Sequence, residues 1–226
     1  MDKIDFFSHI QLSHEPFDTG FTQDQVKNEP MFFNSGFMYA YENGGPITRA
    51  FLERFSKDHE EMLSQDNYEE DFVFDSRVHM LMPGWFPCIP GFHHDDVPRG
   101  ENGQPDYINP AYRSNHVMGL VNGDICPTQF ALGPASLSIP ENDIIYKHWH
   151  PEVEQLCRDG KLELIDAPSG VLIYFDCDTL HQGQRARDGG WRWFGRLSWN
   201  THRSRNVTNE IRRQVQVYLE YPMEGW

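Results

Sequence analysis

Only four cysteines occur in 226 residues, Cys88, Cys126, Cys157 and Cys177, and no two form a CxxC pair. Isolated thiols build neither a disulfide scaffold nor a cysteine zinc cluster, so reduced thiols in a cytoplasmic protein are expected. Long apolar runs are missing as well. No stretch approaches a membrane span, and the charged start, Met1 to His14, holds no run suited to a signal peptide. Basic charge is scarce: 19 Lys and Arg stand against 34 Asp and Glu, a formal net charge of −15. A surface of that sign repels phosphate backbones, which disfavours a nucleic-acid partner. Arg185, Arg187, Arg192, Arg196, Arg203 and Arg205 nevertheless gather near the C-terminus and leave room for a local basic pocket. Internal repeats and low-complexity segments are absent.

Aromatic residues are plentiful, with 16 Phe, 9 Tyr and 6 Trp spread along the chain. They can fill a real core, and with 18 Gly and 15 Pro they favour short strands and frequent turns. The length suits one domain over 1–226, with an irregular and helical flank at 1–70 and a β core at 71–222. Within the flank, 31–41 could hold one or two short strands. Pro46 then opens a helix with Ile47, Phe51, Leu52, Phe55, His59 and Met62 on one stripe. From about residue 72 the pattern predicts strands at 77–82, 86–95, 116–122, 127–132, 135–139, 161–165, 170–176 and 191–199. A last alternating run covers Gln214 to Tyr221, and a short helix opened by Pro151 is expected near 150–158. About eight strands at this spacing suggest a mainly β, double-sheet jelly roll, a cupin-like double-stranded β-helix with a few flanking helices.

Three stretches could carry chemistry. In Pro90-Gly91-Phe92-His93-His94-Asp95-Asp96, residues two apart share a face if the chain is extended. His93 with Asp95, or His94 with Asp96, could therefore offer one imidazole and one carboxylate to a metal. The second stretch is the apolar run Gly170–Asp176 followed by Cys177-Asp178-Thr179-Leu180-His181-Gln182-Gly183, which sets His181 at the mouth of a barrel. In the third, Trp191–Trp199, alternation puts Trp191, Trp193, Leu197 and Trp199 on one face and Arg192, Phe194, Arg196 and Ser198 on the other. Two arginines beside a phenylalanine fit a cavity that receives a carboxylate, because guanidinium makes bidentate, charge-assisted bonds. Internal salt bridges are the plainer account of the same pair.

An HxD motif, a distant His and a basic residue beyond it resemble the iron(II)- and 2-oxoglutarate-dependent dioxygenase superfamily. Here the pattern reads His93-His94-Asp95, His181, and Arg192 eleven residues on, with Arg196 a second candidate at fifteen. The likeness spans about residues 77–200. A Pro-Gly-aromatic step before His93 favours the His93/Asp95 register. The resemblance implies Fe(II) held by His93, Asp95 and His181, with 2-oxoglutarate and O2 as co-substrates. Arg192 would hold the far carboxylate of 2-oxoglutarate, with Thr128 as a further partner. It also implies hydroxylation of a small molecule, a carboxylate-bearing one being the first expectation, with release of succinate and CO2. Arg196, Arg99 and Trp193 are the expected substrate contacts, Trp191, Tyr107 and Tyr112 could wall the pocket, and 97–115 could act as a lid.

Two other readings stay open. A cupin-like isomerase or lyase would enlist His79, His94 or His116 as further ligands and use no 2-oxoglutarate. A non-catalytic jelly-roll binding protein would leave the histidines incidental. His148-Trp149-His150 is a rival HxH pair without a nearby carboxylate strand.

Overall fold

The computed structural model describes residues 3–60, 72–101, 103–140 and 144–219. Its first half contains β1 (Lys3–Ser8), β2 (Gln11–Leu12), α1 (Gln23–Asn28), β3 (Met31–Phe33), β4 (Ser35–Gly36), α2 (Phe37–Asn43), α3 (Pro46–Asp58) and β5 (Val73–Leu81). The second half contains β6 (Asn115–Val121), β7 (Thr128–Ser138), α4 (Ile145–Arg158), β8 (Glu163–Asp166), β9 (Ile173–Asp176), β10 (His181–Gly183), β11 (Gly190–Trp199) and β12 (Glu210–Arg212).

The architecture is a jelly roll. A six-stranded sheet runs in the order β2-β9-β6-β11-β5-β4. The second sheet runs β1-β7-β10, with β8 also paired to β7. Alternation along β5 and β11 decides which side chains meet the cavity between the sheets. Phe74 and Val78, with Trp193 and Leu197, face outward onto Phe51 and Phe55 of α3. Asp75, Arg77 and His79, with Arg192, Phe194 and Arg196, line the inner cavity. The antiparallel register sets Arg192 opposite His79 and Arg196 opposite Asp75. Gly195 lies on the outward face, where an added Cβ would come within 2.2 Å of the Trp193 ring. The backbone there must stay bare for the indole to fold back.

Helix α3 matches the expected stripe: Ile47, Phe51, Leu52 and Phe55 are buried, while Met62 lies outside the described residues. The flank is more ordered than its composition suggests. Strand β1 closes the edge of the second sheet along β7, and α1 starts at a capping box in which Thr22 and Gln25 bond reciprocally. The expected strand at 86–95 is not one. It is irregular chain tied by isolated bridges, Phe86 to Tyr218 and His93 to His181. The two runs at 127–132 and 135–139 are one strand, β7, because Gly133 takes a positive φ of 124° and the pairing with β1 carries on through Pro134. The helix expected near 150 begins six residues before Pro151, at Ile145. That proline sits in its second turn, and Trp149 anchors the helix by donating to the Ser138 carbonyl at 2.8 Å. The run from Gln214 makes no strand among the described residues, although Val215 and Val217 still pack inward. No helix among the described residues is long and apolar enough to cross a membrane.

Candidate metal centre

His93 and His181 lie opposite one another on adjacent extended segments. The His93 amide donates to the His181 carbonyl at 3.0 Å, and the His181 amide donates to the His93 carbonyl at 3.2 Å. This reciprocal pair fixes both Cα positions before any side chain is placed. Each imidazole is then oriented by its own backbone. His93 Nδ1 meets the Gly91 carbonyl at 2.9 Å, and His181 Nδ1 meets the Thr179 carbonyl at 2.9 Å. A carbonyl only accepts, so both Nδ1 atoms carry the proton and both Nε2 atoms keep a lone pair.

Those lone pairs converge on a carboxylate. His181 Nε2 stands 3.1 Å from one Asp95 oxygen, and His93 Nε2 stands 3.8 Å from the other. One ligand atom from each of His93, Asp95 and His181 lies within 4.8 Å of the other two. Two imidazole acceptors and a carboxylate that only accepts repel one another unless a cation sits among them. The donor set therefore suits a divalent metal, and the fixed Nδ1–H tautomer is how proteins aim histidine ligands. Burial, then the neighbouring His181, pushes the His93 imidazole down to about 3, so it is a neutral donor at physiological pH. Arg196 bonds to the same Asp95 oxygen that His181 Nε2 faces, and it meets the buried Asp75 at 3.5 Å. Although burial opposes the charge, the Arg196 guanidinium holds the Asp95 carboxyl well below the usual carboxylate range.

The alternative register is set apart. His94 turns into a cluster with Phe6, Tyr107 and Trp149, where its Nδ1 meets the Tyr107 hydroxyl at 3.1 Å. Asp96 takes a positive φ of 51°, which breaks the alternation that would have paired it with His94.

Behind the triad lies a cavity of about 380 Å³ between the sheets, lined by His93, Asp95 and His181 at one side and by Thr128, His79 and Arg192 at another. Arg192 is 2% exposed, and among the described residues no carboxylate pairs with it. Its guanidinium donates to the Thr128 hydroxyl at 3.3 Å, while its Nε has no partner. Burial pulls its pKa down. Among the described residues its partners are that hydroxyl and, at 5.9 Å, the Phe194 ring, both neutral, and a buried cation so placed is costly unless an anion arrives. His79 beside it is pushed down to about 3, first by burial and then by Arg192.

The other expected contacts are placed differently. Trp193 is a correction: its side chain is fully buried on the outer face against Phe17 and Phe51, because β11 alternates and odd positions point away from the cavity. Arg99 is exposed, bonds to the Gly103 carbonyl at 2.7 Å, and borders a separate cleft that reaches Asp95 from outside. Tyr112 lines the same outer cleft, Tyr107 packs in the His94 cluster, and Trp191 packs against the outer core. His148 and His150 lie two apart on α4, which holds them on different faces of the helix. Asp75 falls outside the expected strand, which began at residue 77, while Arg77 lies inside it, on the face of His79. Starting it at Val73 would have placed Asp75 on the same inner face by alternation.

The buried histidines make acid stability a test of this packing. His79 and His116 each drop to about 3 from 6.5, with burial as the largest cause. An unfolded chain protonates them below about 6.5 while the folded protein refuses the proton. Their contribution is therefore fully present above that pH and is lost as pH falls from about 6.5 toward 3. The urea midpoint of the metal-free protein is expected to drop between about pH 7 and about pH 4.5. An unchanged midpoint would contradict neutral burial of the two rings.

The fold and the site together define a jelly-roll protein with a candidate two-histidine, one-carboxylate metal centre. No protein-family model matches the chain, and no curated protein matches it. Among solved structures it is similar to iron-bound HygX from Streptomyces hygroscopicus, at 10% identity and a TM-score of 0.39, covering 89% of this chain and 83% of that one. It is similar to EvdO2 from Micromonospora carbonacea var. aurantiaca complexed with 2-oxoglutarate, at 11% identity and a TM-score of 0.33, covering 71% and 68%. A 2OG-Fe(II) oxygenase family oxidoreductase from Burkholderia pseudomallei is similar at 11% identity and a TM-score of 0.33, covering 91% and 78%.

Proposed function

We propose that this chain is an Fe(II)- and 2-oxoglutarate-dependent oxygenase that hydroxylates a small molecule, releasing succinate and CO2. One observation carries the reading: three converging acceptor groups share a cavity with a buried arginine that no carboxylate among the described residues partners. Two imidazoles and one carboxylate leave coordination positions open, which suits non-haem iron better than a structural zinc. Bound iron would supply oxygen activation coupled to decarboxylation of the co-substrate.

The chain's share is holding and positioning. His93, Asp95 and His181 hold the metal, and the Gly91 and Thr179 carbonyls keep both imidazoles in the donor tautomer. Arg192 and the Thr128 hydroxyl receive the far carboxylate of 2-oxoglutarate, which replaces the missing anion. Met118, Phe175 and Phe194 make the adjoining walls apolar and keep water away from the reacting atoms. Arg196 is a positioning residue for Asp95: anchored by Asp75, it keeps that carboxylate ionised and turned into the site.

The cupin-like alternative needs more histidine ligands. Among the described residues the metal-binding group comprises His93, Asp95 and His181 alone, while His79, His94 and His116 stand outside it. The test is succinate formation under air. Succinate is expected only when Fe(II) and 2-oxoglutarate are both present, with a slow background in the absence of substrate. No succinate with both present, over a broad set of small-molecule substrates, would reject the reading.

A further inference from the structure

The cavity is strongly basic although the protein as a whole carries a net charge of −15. Arg77, Arg192, Arg196 and Arg203 line it against only two carboxylates, Asp75 and Asp95. Two positive charges are therefore in excess. On the oxygenase reading above, a divalent metal and dianionic 2-oxoglutarate cancel one another and leave that excess in place. Surplus charge in a partly desolvated cavity is costly, and a second anion relieves it.

The geometry shows where that anion belongs. Arg196 is committed to Asp95 and Asp75, and Arg192 lies deeper, beside Thr128. The charge left over sits toward Phe33, on Arg77 and Arg203. Arg203 meets Asp75 at 2.8 Å, but Asp75 already serves Arg196. Arg77 is held rigidly by bonds to the Phe32 carbonyl at 3.0 Å and the Ser76 carbonyl at 2.7 Å. Both bonds use one terminal nitrogen and neither supplies negative charge. Among the described residues no carboxylate comes within ion-pair distance of Arg77. Its pKa is lowered, chiefly by burial; Asp75 opposes that shift in part, while the guanidiniums of Arg212, Arg196 and Arg203 add to it. The Phe33 ring lies 5.6 Å from Arg77 and 3.5 Å from Arg212, so an apolar ring adjoins the charged rim.

We propose that Arg77 and Arg203, beside Phe33, form a receptor for an oxyanion of the substrate, a phosphate monoester or a carboxylate on an apolar body. Fixed, planar guanidiniums suit both groups, because each offers paired oxygens to a fork of N–H donors. This inference deepens the oxygenase reading by naming the substrate class.

Calorimetric titration with phenyl phosphate, benzoate and benzyl alcohol tests it, each without and with saturating 2-oxoglutarate. Phenyl phosphate or benzoate is expected to bind in both conditions, and the tighter of the two identifies the oxyanion. Benzyl alcohol should bind at least about tenfold more weakly, the equivalent of one charge-assisted bond. Arg77→Gln should weaken the anion by a similar factor. Arg203→Lys keeps a charge for Asp75 but loses the fork, so it carries the test if Arg77→Gln does not fold. Equal binding of benzyl alcohol, no binding of either anion, or displacement by 2-oxoglutarate with loss only in Arg192→Gln would overturn the receptor. Succinate formation alongside any of these results would remove the receptor and leave the oxygenase standing. Anion binding that depends on Arg77, in a protein that makes no succinate, would do the reverse.

Discussion

His181→Ala is expected to lower affinity for Fe(II) by at least about 100-fold, more than the usual cost of losing a mere supporting partner of a metal ligand. It should abolish succinate formation with it. The reason is geometric: His181 supplies one of only three ligand atoms, and its Nε2 is aimed by a hydrogen bond from its own Nδ1 to the Thr179 carbonyl. Asp95→Asn should behave similarly while keeping the shape of the side chain, because an amide lacks the charge the metal needs. The informative contrast is His94→Ala. That ring packs against Phe6, Tyr107 and Trp149, so its removal should destabilise the fold by a few kcal/mol as a core cavity does. Metal affinity should stay within about threefold of the original, below the cost of losing even a supporting partner. Anaerobic metal titration of the three variants checks this. Retained affinity in His181→Ala, or its loss in His94→Ala, would reject the assigned register.

The second large effect concerns Arg192, where stability and binding should move in opposite directions. Arg192→Met removes a buried cation whose one hydrogen-bond acceptor among the described residues is the Thr128 hydroxyl. Replacing a poorly paired buried charge by an apolar chain of similar length is expected to leave the urea midpoint unchanged or higher. Apparent affinity for 2-oxoglutarate should fall by about 100-fold or more, since a bidentate, charge-assisted pair in a low-dielectric site is lost. In the original protein, 2-oxoglutarate at about 100 times its Kd should add about 2.7 kcal/mol of stability. In the variant at the same concentration that gain should nearly vanish. A variant that loses stability and keeps its 2-oxoglutarate response would make Arg192 a structural residue instead.

Much of the site is legible in the amino-acid sequence because it rests on short-range rules. Alternation along Trp191–Trp199 separates Arg192 and Arg196 from Trp193, and that division holds. Trp193, expected as a substrate contact, falls on the other side of that division, and the structure buries its indole against Phe51 of α3. Proline at the first turn and an apolar stripe located α3 in the same way. Local rules failed where long-range pairing intervenes. The segment at 86–95 has strand-like composition, yet it makes only isolated bridges, Phe86 to Tyr218 and His93 to His181, with partners far along the chain. Strand β1 is invisible as a pattern because its order comes from β7, more than a hundred residues away.

By itself, the sequence determined the ligand types, the inward arginines and the β-rich layering, since each follows from residue chemistry and a two-residue repeat. Only the tertiary structure decided between His93 and His94. Both registers alternate equally well along the chain. The reciprocal backbone bonds between His93 and His181, and the positive φ at Asp96, are what bring one imidazole to Asp95 and turn the other into the core. Tertiary pairing also gathered Asp75, Arg77 and Arg203 around one cavity, because antiparallel register, and not sequence distance, determines which charges must share a low-dielectric space.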